Sequence, residues 1–276
     1  MTSVAEIPEP QATGRIAELY ADIRDTQGLP IVNLIWRHLA TEPDALEWAW
    51  TAARPLYASG VAARESAVLL QSLSLPTLGR FPIGMAGALG ISANDFAGIR
   101  RMLETYNKGN GLNLVALSAL TASNVSHDAT EAPPPPEPEE GTQPLPPIPA
   151  LGALDTDTVD LVHAINQFGM PAGSAPLVAS LYRHLGYWPG YLAVAWAGLA
   201  PLHKDGQLRS AIDATLTAGA HHGRIAARHR GPTASGTASH FARTAISHFL
   251  DTAISRMVPI GLMLRDAFEP DDAPRA

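Results

Sequence analysis

The chain has 276 residues, no cysteine, and 26 acidic against 19 basic side chains, for a formal charge of −7. The missing cysteines exclude a disulfide framework, thiolate zinc sites and cysteine redox or nucleophile chemistry, and the scattered positive charges lack the footprint that a nucleic-acid backbone demands. The N-terminus has no basic stretch followed by an apolar run, and the most apolar segment, MVPIGLML at 257–264, is too short to span a bilayer. The expectation is a soluble cytoplasmic protein with neither nucleic acid nor membrane as partner.

In chain order, apolar residues recur at i, i+3, i+4 and i+7, and alternating β-branched runs are scarce. This predicts helices over about 13–25, 31–40, 43–58, 61–73, 92–106 and 111–122 in the first half. The second half repeats the plan at about 157–167, 176–186, 189–203, 207–220, 235–250 and 253–267. Between the halves, residues 132–152 carry nine prolines, which forbid helix and favour an extended strap. Such a segment reaches on the order of 60 Å, enough to cross a helical domain. A flexible linker between independent beads is the alternative.

The halves are also related in sequence. PIVNLIWRHLATEPDALEWAWTAARPLYASG (30–60) and PLVASLYRHLGYWPGYLAVAWAGLAPLHKDG (176–206) align without a gap at an offset of 146, with twelve identities in thirty-one positions. Among these are Pro30/Pro176, Val32/Val178, Arg37/Arg183, His38/His184, Leu39/Leu185, Trp50/Trp196 and Gly60/Gly206. The expectation is an all-α chain of two homologous repeats, 1–125 and 153–276, joined by the Pro-rich linker 126–152 and packed as a pseudo-dimer about a pseudo-twofold axis. A homodimer of the whole chain stays open.

Most of the repeated motif reads as architecture, the Trp50/Trp196 pair above all, because a large aromatic at helical spacing dominates packing. Arg37 and Arg183 have two readings: a cation at a helix C-terminus, or a guanidinium fork for a carboxylate ligand. His38 and His184 share that ambiguity. His221, His222, His229, His240 and His248 with Asp251 invite a metal reading, but the tight i, i+4 ligand pair of helical zinc sites is missing, so no metal is expected.

The duplicated P-x-V…R…P…L..AW…P pattern, the opening RIAELYADIRDTQGLPIV and the stretch RRMLETYNKGNGLNLVALSAL at 100–120 together resemble the group I 2-haloacid dehalogenases. The resemblance implies a cofactor-free, all-α, pseudo-dimeric enzyme with its site between the halves. In it an aspartate of the second half activates water for direct halide displacement at C2 of a small carboxylic acid, and an asparagine of the first half helps hold that water. The asparagine carries over to Asn110, within Tyr106-Asn107-Lys108-Gly109-Asn110. The aspartate falls on Ser180 or Leu181, and no Asp or Glu occurs from Leu161 to Lys204. Direct displacement needs a base. The expected site is therefore Asn110 for positioning, Ser180 and Leu181 in place of the aspartate, and Arg37, Arg183, Trp36 and Tyr182 as substrate contacts. The function expected is a dehalogenase-type hydrolase of reduced activity; the alternatives are a non-catalytic small-carboxylate binder and an interaction scaffold with the inter-half space filled.

Overall fold

The computed structural model describes residues 4–79, 83–123, 144–171, 173, 177–233 and 235–267. Twelve α-helices and no strand occur among them. They are α1 Gly14–Gln27, α2 Leu34–Leu39, α3 Ala45–Ala58, α4 Val61–Ser72, α5 Ile83–Ala88, α6 Ala93–Thr121, α7 Thr156–Asn166, α8 Ser180–Leu185, α9 Pro189–Lys204, α10 Gln207–Ala226, α11 Thr237–Phe249 and α12 Ser255–Asp266. A π turn at Leu250–Ile254 makes α11 and α12 continuous.

Local chemistry sets the boundaries. Gly28, in the left-handed region at φ 59°, closes α1. Gly60 and Gly206, at φ 74° and 83°, precede α4 and α10 in the same way in both halves. Ser92 and Asp95 form a reciprocal capping box at the start of α6. Pro189 is the first residue of α9, where its missing N–H costs nothing. The matched Pro43 lies two residues before α3, with Asp44 between them at φ 63°.

Two expected helices, 92–106 and 111–122, are one 29-residue helix, α6, with no break at Gly109-Asn110. The glycines serve contact rather than turning. A Cβ at Gly109 would lie 3.0 Å from the Asn33 amide, and one at Gly111 2.5 Å from Ser66 Oγ. Close approach of α2 and α4 offsets the roughly 1 kcal/mol that a mid-helix glycine costs. Gly219 and Gly223 of α10 play the same part against Leu114 and Ser118.

Because α6 is continuous, its two ends serve different cores. Its C-terminal part, Leu112 to Leu120, packs with Trp36, Trp50 and Tyr57 and with Ala242, Ile246 and Phe249 from the second half. Its N-terminal part, Ile99 to Tyr106, packs with Val162, Tyr182, Tyr191, Leu199 and Ile260. Each apolar cluster thus draws on both sides of the Pro-rich segment.

Of that segment, 124–143 lie outside the described residues. Residues 144–150 have no regular structure and lead into a 3-10 turn at Leu151–Ala153. They are tied down: the Tyr187 hydroxyl donates to the Pro147 carbonyl at 2.8 Å, and Arg183 Nε to that of Pro149 at 3.2 Å. Extended residues near the N-terminus meet α2 in a comparable way. The Ile7 amide donates to the Arg37 carbonyl, and His38 Nδ1 lies 2.8 Å from the Ala5 carbonyl.

Candidate functional site

The N-termini of α2 and α8 meet the middle of α6 and the π turn before α12 around a cavity of about 40 Å³. The first half contributes Asn33, Leu34, Ile35, Tyr106, Asn110 and Asn113, and the second Leu177, Ala179, Ser180, Leu181, Phe249, Ala253, Ile254 and Met257. Tyr106, Asn110 and Asn113 stand at i, i+4 and i+7 on one stripe of α6. Room for a water needs roughly 10–15 Å³, so the cavity takes about three waters.

The structure brings Asn110, Ser180 and Leu181 into this one lining. Trp36, Arg37, Tyr182 and Arg183 stand behind it. Arg37, 3% exposed, spends its whole fork: Nε donates to Glu6 Oε2 at 2.7 Å, Nη1 to the Val32 carbonyl at 3.0 Å and Nη2 to Ser180 Oγ at 3.0 Å. Arg183 Nη1 donates to the other oxygen of Glu6 at 2.7 Å. The two arginines therefore do grip a carboxylate, but it is the chain's own, delivered from the N-terminal segment. One carboxylate serving two guanidinium groups leaves a positive excess beside Ser180. Arg256 adds to it: fully buried next to the lining residue Met257, it donates only to neutral oxygens, including the carbonyls of Asn166 and Phe168 and Asn166 Oδ1.

Trp36 is completely buried and Tyr182 likewise; Tyr182 Oη has no hydrogen-bond partner. Burial pushes the Tyr182 phenol up to about 12, against the opposing pull of Arg256, so it stays neutral.

No Asp, Glu, His, Lys or Arg lines the cavity. Two imidazoles stand behind the lining: His38 stacks on Phe249 at 5.4 Å, and His184 is reached through Tyr106, whose hydroxyl is 3.3 Å from Nδ1. His184 Nε2 faces the Pro146 carbonyl at 2.8 Å, so Nε2 carries the proton and Nδ1 accepts from the phenol. Desolvation first, with the charges of Arg37 and Arg183 working against the Pro146 hydrogen bond, lowers its pKa to about 4. A base that weak, already occupied, does not replace a carboxylate. Its evident work is to fasten residue 146 to α8.

Of the other candidate residues, His222 Nδ1 lies 2.9 Å from Glu65 Oε2, joining α10 to α4. Burial raises Glu65, but hydrogen bonds from His222 and Arg64 and the Arg64 charge outweigh it and leave the carboxyl below its usual value. His221 packs edge-on against His222. Among the described residues no three or more His, Asp or Glu side chains are grouped so as to hold a metal ion, with His240, His248 and Asp251 not forming such a set.

Sequence reasoning missed Asn33, Asn113 and Glu6. The signal for Asn113 was present: Asn107, Asn110 and Asn113 recur every three residues in the middle of α6, and buried amides there require partners. Asn107 finds one in the Gly261 carbonyl at 3.1 Å. Nothing local announces Glu6, which is 31 residues from Arg37.

Comparison with known proteins gives structural neighbours only. A D-2-haloacid dehalogenase mutant in complex with D-2-CPA is 19% identical, with a TM-score of 0.74 over 95% of this chain and 94% of that one. The crystal structure of a D-2-haloacid dehalogenase mutant gives 18% and 0.77, covering 96% of both. A complex of D-2-haloacid dehalogenase with L-LA gives 19% and 0.67 over 95% and 93%. No family model and no curated protein matches, and no helix among the described residues is long and apolar enough to cross a membrane. Over nearly its whole length, then, the chain has the all-helical fold of the D-2-haloacid dehalogenases.

Proposed function

We propose that the chain is a divergent hydrolase of the 2-haloacid dehalogenase type, whose inter-half cavity takes a small carboxylic acid and whose carbon–halogen hydrolysis is slow for want of a carboxylate base. The observation that carries this reading is the lining itself: Asn110, Ser180 and Leu181 converge on one small cavity that contains no ionisable side chain except Tyr106. With it goes the reading of 1–125 and 153–276 as homologous repeats in a pseudo-dimer, supported by the matched glycine turns and by the shared grip of Arg37 and Arg183 on Glu6.

The chemistry follows from the lining. The positive excess of Arg37, Arg183 and Arg256 over Glu6 favours an anionic ligand in a site of low dielectric. Ser180 Oγ accepts from Arg37, so its own proton is free to be donated toward such an anion. A hydrolytic step then needs a group to take a proton from water while the resulting oxygen attacks C2 and halide leaves with the bonding pair. Asn110 can orient the water. Nothing in the lining takes the proton.

Chloride release from DL-2-chloropropionate by the unmodified protein and by Leu181→Asp and Ser180→Asp tests this. An added carboxylate should raise release by about 10²- to 10⁴-fold, the usual range for general-base assistance. Rapid release by the unmodified protein would overturn the claim of a missing base. The second reading, a non-catalytic small-carboxylate binder, is favoured by the same absence of a carboxylate. It becomes the better description if the acid binds and neither variant releases chloride.

A further inference from the structure

We infer that Asn113 is the amide that holds the ligand's carboxylate in the cavity, and that Gln27, Trp36 and Tyr57 are positioning residues that fix which way it faces. This rests on the reading of the cavity as a small-carboxylate site and adds the residue that decides the ligand's charge.

The side chain of Asn113 is unusually constrained. Its Oδ1 accepts from Tyr57 Oη at 2.8 Å, Trp36 Nε1 at 3.2 Å and Gln27 Nε2 at 3.3 Å. An indole N–H only donates, and Tyr57, completely buried, is held neutral by desolvation and keeps its proton. The oxygen must therefore face these groups, and amide inversion is ruled out. What is left is Nδ2, a two-proton donor on a residue that is 1% exposed and lines the cavity, with no partner in the protein. A buried donor left unpaired is costly, and three donors on one oxygen are more than structure alone requires. The protein supplies no acceptor for this N–H pair, and one held in the adjoining cavity would meet it. Ser180 supplies a second donor from the opposite half, and together they match the two oxygens of a carboxylate. Asn110, one turn earlier on the same stripe, has no such brace on its oxygen. Trp36, placed behind the lining, thus acts on the ligand through Asn113.

The decisive variant is Asn113→Asp. A carboxylate oxygen accepts from Tyr57, Trp36 and Gln27 as well as an amide oxygen does, and the volume is unchanged. The free N–H pair is exchanged for an oxygen carrying negative charge. Calorimetric titration of 2-chloropropionate and of its neutral amide, 2-chloropropionamide, into both proteins reads the result. Acid affinity should fall at least tenfold and amide affinity should change less than threefold. Tyr57→Phe removes one brace and keeps the ring, Trp36→Phe removes another and keeps a smaller aromatic, and each should weaken the acid by about two- to fivefold while sparing the amide; these carry the test should Asn113→Asp not fold. Acid binding by Asn113→Asp within twofold of the unmodified protein, or equal losses for acid and amide in all three variants, overturns the assignment while the cavity reading stands. Failure of the unmodified protein to bind the acid overturns both.

Discussion

The two copies of the repeated motif keep the same residues for the fold and different residues for the cavity. None of the twelve identical pairs lines it. The lining comes instead from pairs that differ: Asn33 opposite Ala179, Leu34 opposite Ser180, Ile35 opposite Leu181. One identical pair, Arg37 and Arg183, makes the same kind of contact in both halves, the grip on Glu6. Divergence is concentrated where two helix N-termini face each other across one small space and must not be alike.

Even shared residues are not used equally, and the tryptophan pair offers the largest effect by which to measure this. Trp50, 2% exposed, donates to Asp22 Oδ2 at 2.7 Å, stacks on Tyr57 and meets Trp36 edge-on at 5.4 Å. Trp196 is 40% exposed and touches Phe168 at 5.9 Å. Trp50→Ala should cost about 3–5 kcal/mol, the usual range for a buried aromatic, and Trp196→Ala about 1 kcal/mol. Urea midpoints check both, and equal costs would mean that a partner covers Trp196 in solution.

Glu6 is where the two copies meet, since one carboxylate pairs with both motif arginines. Glu6→Gln leaves two largely buried guanidinium groups without a counterion, and breaking a buried pair from one side costs about 3–5 kcal/mol; partial exposure of Glu6 and Arg183 places the expectation at about 3 kcal/mol. Introduced into an Arg183→Gln background, Glu6→Gln should cost less than it does in the parent, read as non-additivity in a double-mutant cycle. Strict additivity would mean that the bridge does not couple the halves.

The two motif histidines differ in what their rings do. His38 lies over Phe249 at 5.4 Å, while His184 is sealed between Tyr106 and Pro146. With a pKa of about 4 in the folded state against about 6.5 unfolded, His184 takes up a proton more readily when unfolded. Its contribution is therefore present in full above pH 6.5 and is lost as pH falls from 6.5 toward 4, by roughly 3 kcal/mol. His184→Gln, which can still donate to Pro146 and accept from Tyr106, should flatten that limb of the stability–pH curve. An unchanged limb would assign the loss to other groups, such as the depressed carboxyl of Glu65, whose contribution falls away only at lower pH.

What the sequence made legible follows the same division. Helical periodicity, glycine turns and proline starts are local, so most helices lie close to where spacing predicts them, and Asn110, Ser180 and Leu181 meet in one lining. The misplaced feature, a break at Gly109, arose because glycine's local cost was visible and the Asn33 amide packed against it was not. The pattern assigns Arg37 and Arg183 a ligand's carboxylate, whereas their partner is the chain's own Glu6, in an extended segment with no periodicity to mark it. The three donors on Asn113 come from α1, α2 and α3 and leave no spacing signature at all.

The smallest effect probes the point at which the copies are most nearly interchangeable. Gly60 and Gly206 both sit in the left-handed region immediately before a helix, at φ 74° and 83°, where an L side chain costs about 1–2 kcal/mol. At Gly206 a Cβ would meet nothing within 4 Å, so Gly206→Ala isolates the backbone term and should cost about 1 kcal/mol in chemical denaturation. Gly60 is buried, so Gly60→Ala adds whatever crowding its side chain meets and should cost at least as much. A Gly206→Ala protein as stable as the parent would mean that the turn relaxes out of the left-handed region without loss. The matched glycines would then be no evidence for a shared turn.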